Sequence, residues 1–148
     1  IAIYNLTLNE IRDAILKAQQ RGVQVRLVVD KKEAVNRGSR TRDLFKAGIQ
    51  MKYGTTEGLM HNKFTLVDGT MLETGSYNYT FFATNKNNEN QIYTNNPKLI
   101  KRFQENFEKL WQSAENYFEQ AVPATSTPRS STSGGGASGS RTCESNIQ

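Results

Sequence analysis

His61 and Lys63 lie two residues apart in a segment, 61–67, whose side chains alternate as on a strand. Residues two apart on a strand share a face, so an imidazole and an ammonium are expected side by side, with Phe64 and Leu66 pointing the other way. Fourteen to seventeen residues after His61 comes Gly75-Ser76-Tyr77-Asn78, which offers a backbone without a side chain, a hydroxyl and a carboxamide. Folded back onto the strand, these groups bring a nucleophile or base, a fixed cation and neutral donors to one point. Such a set can hold and attack a phosphodiester without a metal. One His and one Cys in the whole chain argue against a protein-built zinc site, and no cofactor is expected. Taken singly, each residue has a plainer reading: a lone strand His is most often a satisfied polar residue, and Asp68-Gly69 is a hairpin turn. The spacing of the full set outweighs those readings.

The elements that must position these groups are legible around them. The apolar run 1–6 reads as a buried strand, and because it opens the chain without a Met, a preceding segment is expected. Thr7-Leu8-Asn9-Glu10 has capping-box spacing, and Ile11, Ala14, Ile15 and Ala18 recur at helical intervals until Gly22. Val23 to Val29 is a β-branched run, which completes a strand, helix, strand unit and implies a parallel pair with the helix packed over it. A second helix is expected over 41–47, stopped by Gly48, then a strand over 49–53. Asp68-Gly69 joins strands over 61–67 and 70–74, with another short strand over 91–93. Pro97 opens a final helix with Leu99, Phe103, Phe107, Leu110 and Trp111 in helical register, expected to reach about residue 121. The fold class is therefore α/β, a mixed sheet flanked by helices in one domain over 1–122. Residues 123–148 are Ser, Thr and Gly with almost no large apolar residue and are expected to be disordered.

His61-x-Lys63, four residues, Asp68, six residues, then Gly75-Ser76-x-Asn78 resembles the complete HKD motif of the phospholipase D superfamily. The resemblance extends to the strand, helix, strand unit before it, to Asn88-Glu89-Asn90 after it and to the aromatic final helix. It is nearest to the small single-motif bacterial endonucleases and to the mitochondrial cardiolipin hydrolase and RNA-processing nuclease group. It implies that His61 is a nucleophile forming a phosphohistidine, that Lys63 and Asn78 bind phosphate oxygens, and that Ser76 assists at the rim. Glu89 would orient the histidine from its other ring nitrogen; its plainer reading is a surface carboxylate. Asp68 is in the motif but is expected to serve the hairpin turn, and Gly75 the backbone.

The chemistry needs one neutral imidazole to attack phosphorus and one protonated imidazole to serve the leaving oxygen, yet the chain has one histidine. Two subunits about a two-fold axis would supply one each, and the resemblance implies the same homodimer with a shared site. A formal charge of +5 inclines the protein to polyanions. Lys31, Lys32, Arg37, Arg40, Arg42 and Lys46 cluster after the second strand, where α/β sheets place their ligand crevice. This cluster reads either as a solvated charge run or as a track for a nucleic-acid backbone. Tyr77, Tyr79, Phe81 and Phe82 read either as core or as surfaces on which bases stack. An endonuclease on DNA or RNA is ranked first, a phospholipase D acting on phosphatidyl lipids or cardiolipin second. A catalytically idle nucleic-acid- or membrane-binding module is the reading from another class. No apolar run is long enough to span a bilayer, and Cys143, the only cysteine, excludes an intrachain disulfide.

Overall fold

Ala2 and Ile3 run parallel to Val28 and Val29, and this pairing of the opening segment with the second strand sets the frame of the fold. The computed structural model describes residues 1–54 and 57–117. The expected tail over 123–148 and the domain limit at residue 122 lie outside them. The elements in chain order are β1 (Ala2–Ile3), α1 (Asn9–Gln20), β2 (Arg26–Asp30), α2 (Lys31–Ala34), α3 (Thr41–Lys46) and β3 (Gln50–Gly54). After them come β4 (Lys63–Val67), β5 (Met71–Gly75), α4 (Phe81–Asn85), β6 (Gln91–Thr94), α5 (Pro97–Ser113) and β7 (Glu115–Asn116).

One mixed sheet in the order β6-β5-β4-β1-β2-β3-β7 carries the seven strands. β1, β2 and β3 are parallel, while β4, β5 and β6 form an antiparallel meander joined to β1 through Ile3 opposite Lys63. The two faces of the sheet bury separate clusters. Ile3, Leu27, Val29 and Tyr53 pack with Ile15 of α1 and Leu44 of α3 on one side. Ala2, Val28, Phe64 and Leu72 pack with Ile100 and Phe107 of α5 on the other, where Phe64 meets Phe103 edge to face at 5.0 Å. Alternation along the strands produces this division, because neighbouring residues face opposite sides.

Gly22 and Gly48 stop α1 and α3 with φ of 88° and 85°, and in each case the following amide turns back to bond the last helical turn (Val23 to Ala18, Ile49 to Leu44). Asp68 and Gly69, with φ of 51° and 65°, form the centre of the turn joining β4 to β5, which the Thr70 amide closes on the Val67 carbonyl at 3.0 Å.

Three expectations need correction. The capping box does not form: Leu8 is the N-cap of α1 without a side-chain bond. The amides of Thr7 and Leu8 both donate to the Tyr79 carbonyl instead, which ties this segment to the turn after β5. The strand expected from His61 begins at Lys63, because its neighbour β1 ends at Ile3 and leaves His61 no ladder partner. The final helix ends at Ser113 rather than near residue 121. There Ala114 turns extended, Glu115 and Asn116 pair with Tyr53 and Lys52, and Tyr117 is buried against Tyr53. Cross-strand pairing outcompetes another helical turn.

Candidate active site

Everything chemical gathers at the carboxyl edge of the parallel strands. β4 runs antiparallel to β1, so its start meets the end of β1, and Tyr4 and Asn5 follow β1 at the same edge. A parallel bridge between Leu6 and Tyr79, with the Tyr79 amide donating to the Asn5 carbonyl at 3.0 Å, draws the end of the Gly75-Ser76-Tyr77-Asn78 segment beside Asn5.

Lys63 Nζ lies 3.2 Å from His61 Nε2 and donates to the His61 carbonyl at 2.9 Å. An ammonium can only donate, so this contact is a hydrogen bond when Nε2 carries its lone pair and the ring proton is on Nδ1. Tyr4 braces both groups: its ring stands edge-on to the imidazole at 4.6 Å, and Lys63 Nζ lies over it at 5.3 Å. Lys63 is only 9% exposed, and burial lowers its pKa, an effect that the Glu89 carboxylate opposes.

Glu89 is held by Ser76, whose hydroxyl donates to it, and by the Asn87 amide at 2.9 Å. These two bonds, Ser76 first, keep its pKa below the ordinary carboxylate range, with Lys63 adding to the effect. No hydrogen bond joins Glu89 to the His61 ring among the described residues; within one chain its partners are Ser76 and Asn87. Ser76 Oγ also accepts from the Asn90 amide at 3.0 Å, and the Ser76 amide donates to the Asn90 carbonyl at 3.0 Å. The backbones of β5 and β6 therefore press together beside Ser76. A Cβ on Gly75 would stand 2.0 Å from the Asn90 carbonyl oxygen. Gly75→Ala is expected to destabilise the fold by about 3 kcal/mol, an overpacking cost against backbone that cannot yield. A thermal melt would show it as a fall of order 10 °C.

A substitution at Glu89 tests its coupling to Lys63. Glu89→Gln keeps an acceptor for Ser76 but removes the charge that raises the Lys63 pKa. Lys63 would then lose its proton at a lower pH. The Lys63 ammonium is expected to deprotonate at lower pH in this variant, as read from an NMR titration of its side-chain resonances in parallel with the wild type.

Asp68 sits in the hairpin turn at the opposite end of β4, roughly 17 Å from Lys63 at about 3.3 Å per residue, and does not join the cluster. Asn78 does. Asn5 Oδ1 and Asn78 Oδ1 are both buried without a protein partner among the described residues. Each such orphan acceptor costs about 1–3 kcal/mol. Tyr79 belongs to the core, where its hydroxyl meets Thr65 at 2.5 Å and donates to Glu73 at 3.2 Å. Burial and that carboxylate push its pKa well up. Tyr77 is half-buried, while Phe81 and Phe82 are 55% and 67% exposed beside the motif.

The basic segment divides. Lys31 turns to Glu115 at 2.7 Å and lies over the Tyr53 ring, and Lys32 is exposed on α2. Arg37, Arg40 and Arg42 line one cavity.

Reading from sequence missed Asp30, Glu33, Tyr4 and Asn5. Asp30 is 4% exposed; its Oδ1 caps α2 through the Lys32 and Glu33 amides, and its Oδ2 accepts from the Met60 amide at 3.0 Å. The residue before His61 is thus pinned to the end of β2. Glu33 accepts from the Tyr4 hydroxyl at 3.3 Å, from Asn5 at 2.7 Å and from Asn36 at 3.1 Å. Burial first, then Glu33, raises the Tyr4 pKa, so its phenol keeps its proton. Asp30-x-x-Glu33 carries a helix-start signal that marks Asp30 as a cap. Nothing local links it to Met60.

Among the described residues no three His, Cys, Asp or Glu side chains group as a metal site, and no helix is long and apolar enough to cross a membrane.

Residues 1–111 match the family model described as "Cardiolipin synthase, PLD-like domain". The chain is 39% identical over 111 residues to a mitochondrial cardiolipin hydrolase of Chlamydomonas reinhardtii, which covers 75% of this chain and 50% of that protein. It is 40% identical over 116 residues to one of Danio rerio, covering 78% and 51%. The chain thus spans about half the length of these curated relatives. Its fold superposes on the crystal structure of the phospholipase D family member Nuc from Salmonella typhimurium with a TM-score of 0.74, at 31% identity and 80% coverage of each chain. A motif complete in spacing, a family model across most of the chain and a shared sheet lead to one assignment: the chain belongs to the phospholipase D superfamily.

Proposed function

We propose that the chain is a metal-independent endonuclease, hydrolysing phosphodiesters of DNA or RNA through a phosphohistidine on His61, with two chains sharing one site. The observation that carries this reading is the contact between His61 Nε2 and the buried Lys63 ammonium. A phosphate oxygen entering the site competes for that ammonium and frees the Nε2 lone pair. Nε2 then attacks phosphorus, the bond to the leaving oxygen breaks, and the leaving oxygen takes a proton from His61 of the partner subunit. Water next attacks the phosphohistidine, gives its proton back to the partner's His61, and the N–P bond breaks. Lys63 and Asn78 balance charge on the non-bridging oxygens. Ser76 keeps Glu89 in place, and Glu89 helps keep Lys63 charged. Asp68 and Gly75 serve the hairpin and the close pairing of β5 with β6.

The need for a partner has a basis in the acids available within one chain. Tyr4 holds its proton more tightly than a free phenol and Glu89 more loosely than a free carboxylate, so both are shifted away from neutrality. A second imidazole fits the task. Nucleic acid ranks first because of the formal charge of +5 and a cavity lined by three arginines. The second reading, hydrolysis of cardiolipin or another phosphatidyl lipid, draws on the 39–40% identity to proteins named cardiolipin hydrolases.

Purified protein incubated in parallel with labelled single-stranded DNA, RNA, duplex DNA and cardiolipin vesicles, with His61→Ala as control, tests both. Cleavage of nucleic acid is expected and should persist in excess EDTA. Loss in EDTA with recovery on adding a divalent ion would overturn the metal-free mechanism.

A further inference from the structure

A cavity of about 180 Å³ between α2 and α3 is lined by Asn36, Arg37, Ser39, Arg40, Arg42 and Asp43. That is several times the volume of a water, enough for a phosphate group. Arg40 is anchored at its backbone, whose amide donates to the Leu6 carbonyl at 2.9 Å. Its Nε is buried and meets no acceptor among the described residues. Nε and a terminal amino group form one of the forks with which a guanidinium grips two oxygens of a phosphate. The one acidic side chain in the lining, Asp43, is already bonded to Arg12 at 3.1 Å. The cavity therefore offers guanidinium and amide donors with its carboxylate neutralised.

The cavity is also coupled to the catalytic cluster. Asn36, in its wall, donates to Glu33 at 3.1 Å; Glu33 accepts from Tyr4, and Tyr4 stands against the His61 ring. All four residues lie at the carboxyl edge of β1 and β2 or just beyond it. A substrate reaching both places carries a second anionic phosphate besides the one attacked.

We infer that this cavity is a second phosphate subsite, holding a phosphodiester that neighbours the scissile one in a single polynucleotide strand. The inference rests on the nuclease reading. A polynucleotide presents phosphates at short, regular intervals, and three arginines in the lining suit an anion better than an acyl chain. The subsite sets how many nucleotides a good substrate needs, and it acts on ground-state binding and alignment rather than on the attack itself.

The test is the dependence of kcat/KM on substrate length, using single-stranded oligonucleotides from the dinucleoside monophosphate to the hexamer. In the wild type, adding the phosphates that reach the subsite should raise kcat/KM by tenfold or more. In Arg37→Ala/Arg42→Ala most of that step should disappear. The salt dependence of binding a labelled 12-mer should also fall by about 1.4 in log-log slope, about 0.7 for each lost contact on a single strand. Arg37→Lys/Arg42→Lys, which keeps charge and stem length, should recover the salt slope, and it replaces the alanine variant if circular dichroism shows that one unfolded. An equal length step in wild type and variant, or no step in the wild type, overturns the subsite. Cleavage of cardiolipin vesicles by the wild type with no cleavage of any oligonucleotide defeats the nuclease reading itself. Loss confined to cardiolipin, with phosphatidylglycerol spared, reassigns the cavity to the second phosphate of a lipid and overturns the polynucleotide assignment.

Discussion

A mixed dimer of one wild-type chain and one His61→Ala chain is expected to keep less than about a hundredth of wild-type activity. If each site draws one His61 from each subunit, every site in the mixed dimer lacks either its nucleophile or its acid. Loss of a positioned acid or base alone costs about 10²–10⁴-fold, and loss of the nucleophile costs at least as much. Independent sites predict a different result, about half of wild-type activity, because one of the two would be intact. Co-expression of two differently tagged chains, isolation through both tags and assay of the mixed species separates a factor of two from a factor of a hundred. Half activity, or a fully active monomer by analytical ultracentrifugation, would remove the shared site. The contacts within one chain are why the expected loss is so large. The His61 ring meets Lys63 and Tyr4, and neither replaces an imidazolium: the proposed mechanism assigns Lys63 to the phosphate oxygens, and burial and Glu33 raise the Tyr4 pKa.

The parts of the site that could be read from sequence are those that one strand or one turn specifies. Two-residue periodicity suffices to put His61 near Lys63, even though the strand itself begins at Lys63, because the ammonium folds back onto the histidine carbonyl. Asp68-Gly69 declares its turn through the residues that tolerate positive φ. The missed groups come together only after the sheet forms. Tyr4 and Asn5 meet Glu33 across 29 and 28 residues, and Asp30 meets Met60 across 30. These links depend on the parallel register of β1 on β2 and on a loop that returns to the end of β2, neither of which leaves a local pattern. The same reason accounts for the misjudged ends. Helical periodicity in α5 carries no information about Tyr53 waiting to pair with Glu115, and the capping box at Thr7 competes with a Tyr79 carbonyl more than 70 residues away.

Asp30→Asn is expected to lower both stability and turnover, although the substitution changes a single atom and touches no substrate. The carboxylate accepts three backbone amides with its two oxygens: Lys32 at 2.9 Å, Glu33 at 3.1 Å and Met60 at 3.0 Å. An Asn offers one acceptor and one donor, so its NH2 must face an amide N–H on one side. If it faces α2, the helix loses its cap, worth about 1 kcal/mol. If it faces Met60, a buried N–H goes unpaired, at about 1–3 kcal/mol. Either orientation adds donor-donor repulsion, for a total of about 2–4 kcal/mol and a fall in Tm on the order of 10 °C. Catalysis suffers because both outcomes reach the nucleophile. Met60 is sealed beneath Gly54, where an added Cβ would stand 2.3 Å from the Met60 side chain, so releasing its amide shifts the residue next to His61. Releasing α2 displaces Glu33 and with it Tyr4. A displacement near 1 Å can cost about 10²-fold, so kcat should fall by about ten- to a hundredfold, measured at a temperature where the variant is folded, with KM changing much less. A lowered Tm with kcat intact would show that Asp30 only closes the fold. A fall in kcat at full occupancy would show that the histidine's position is set from the end of β2, through one carboxylate.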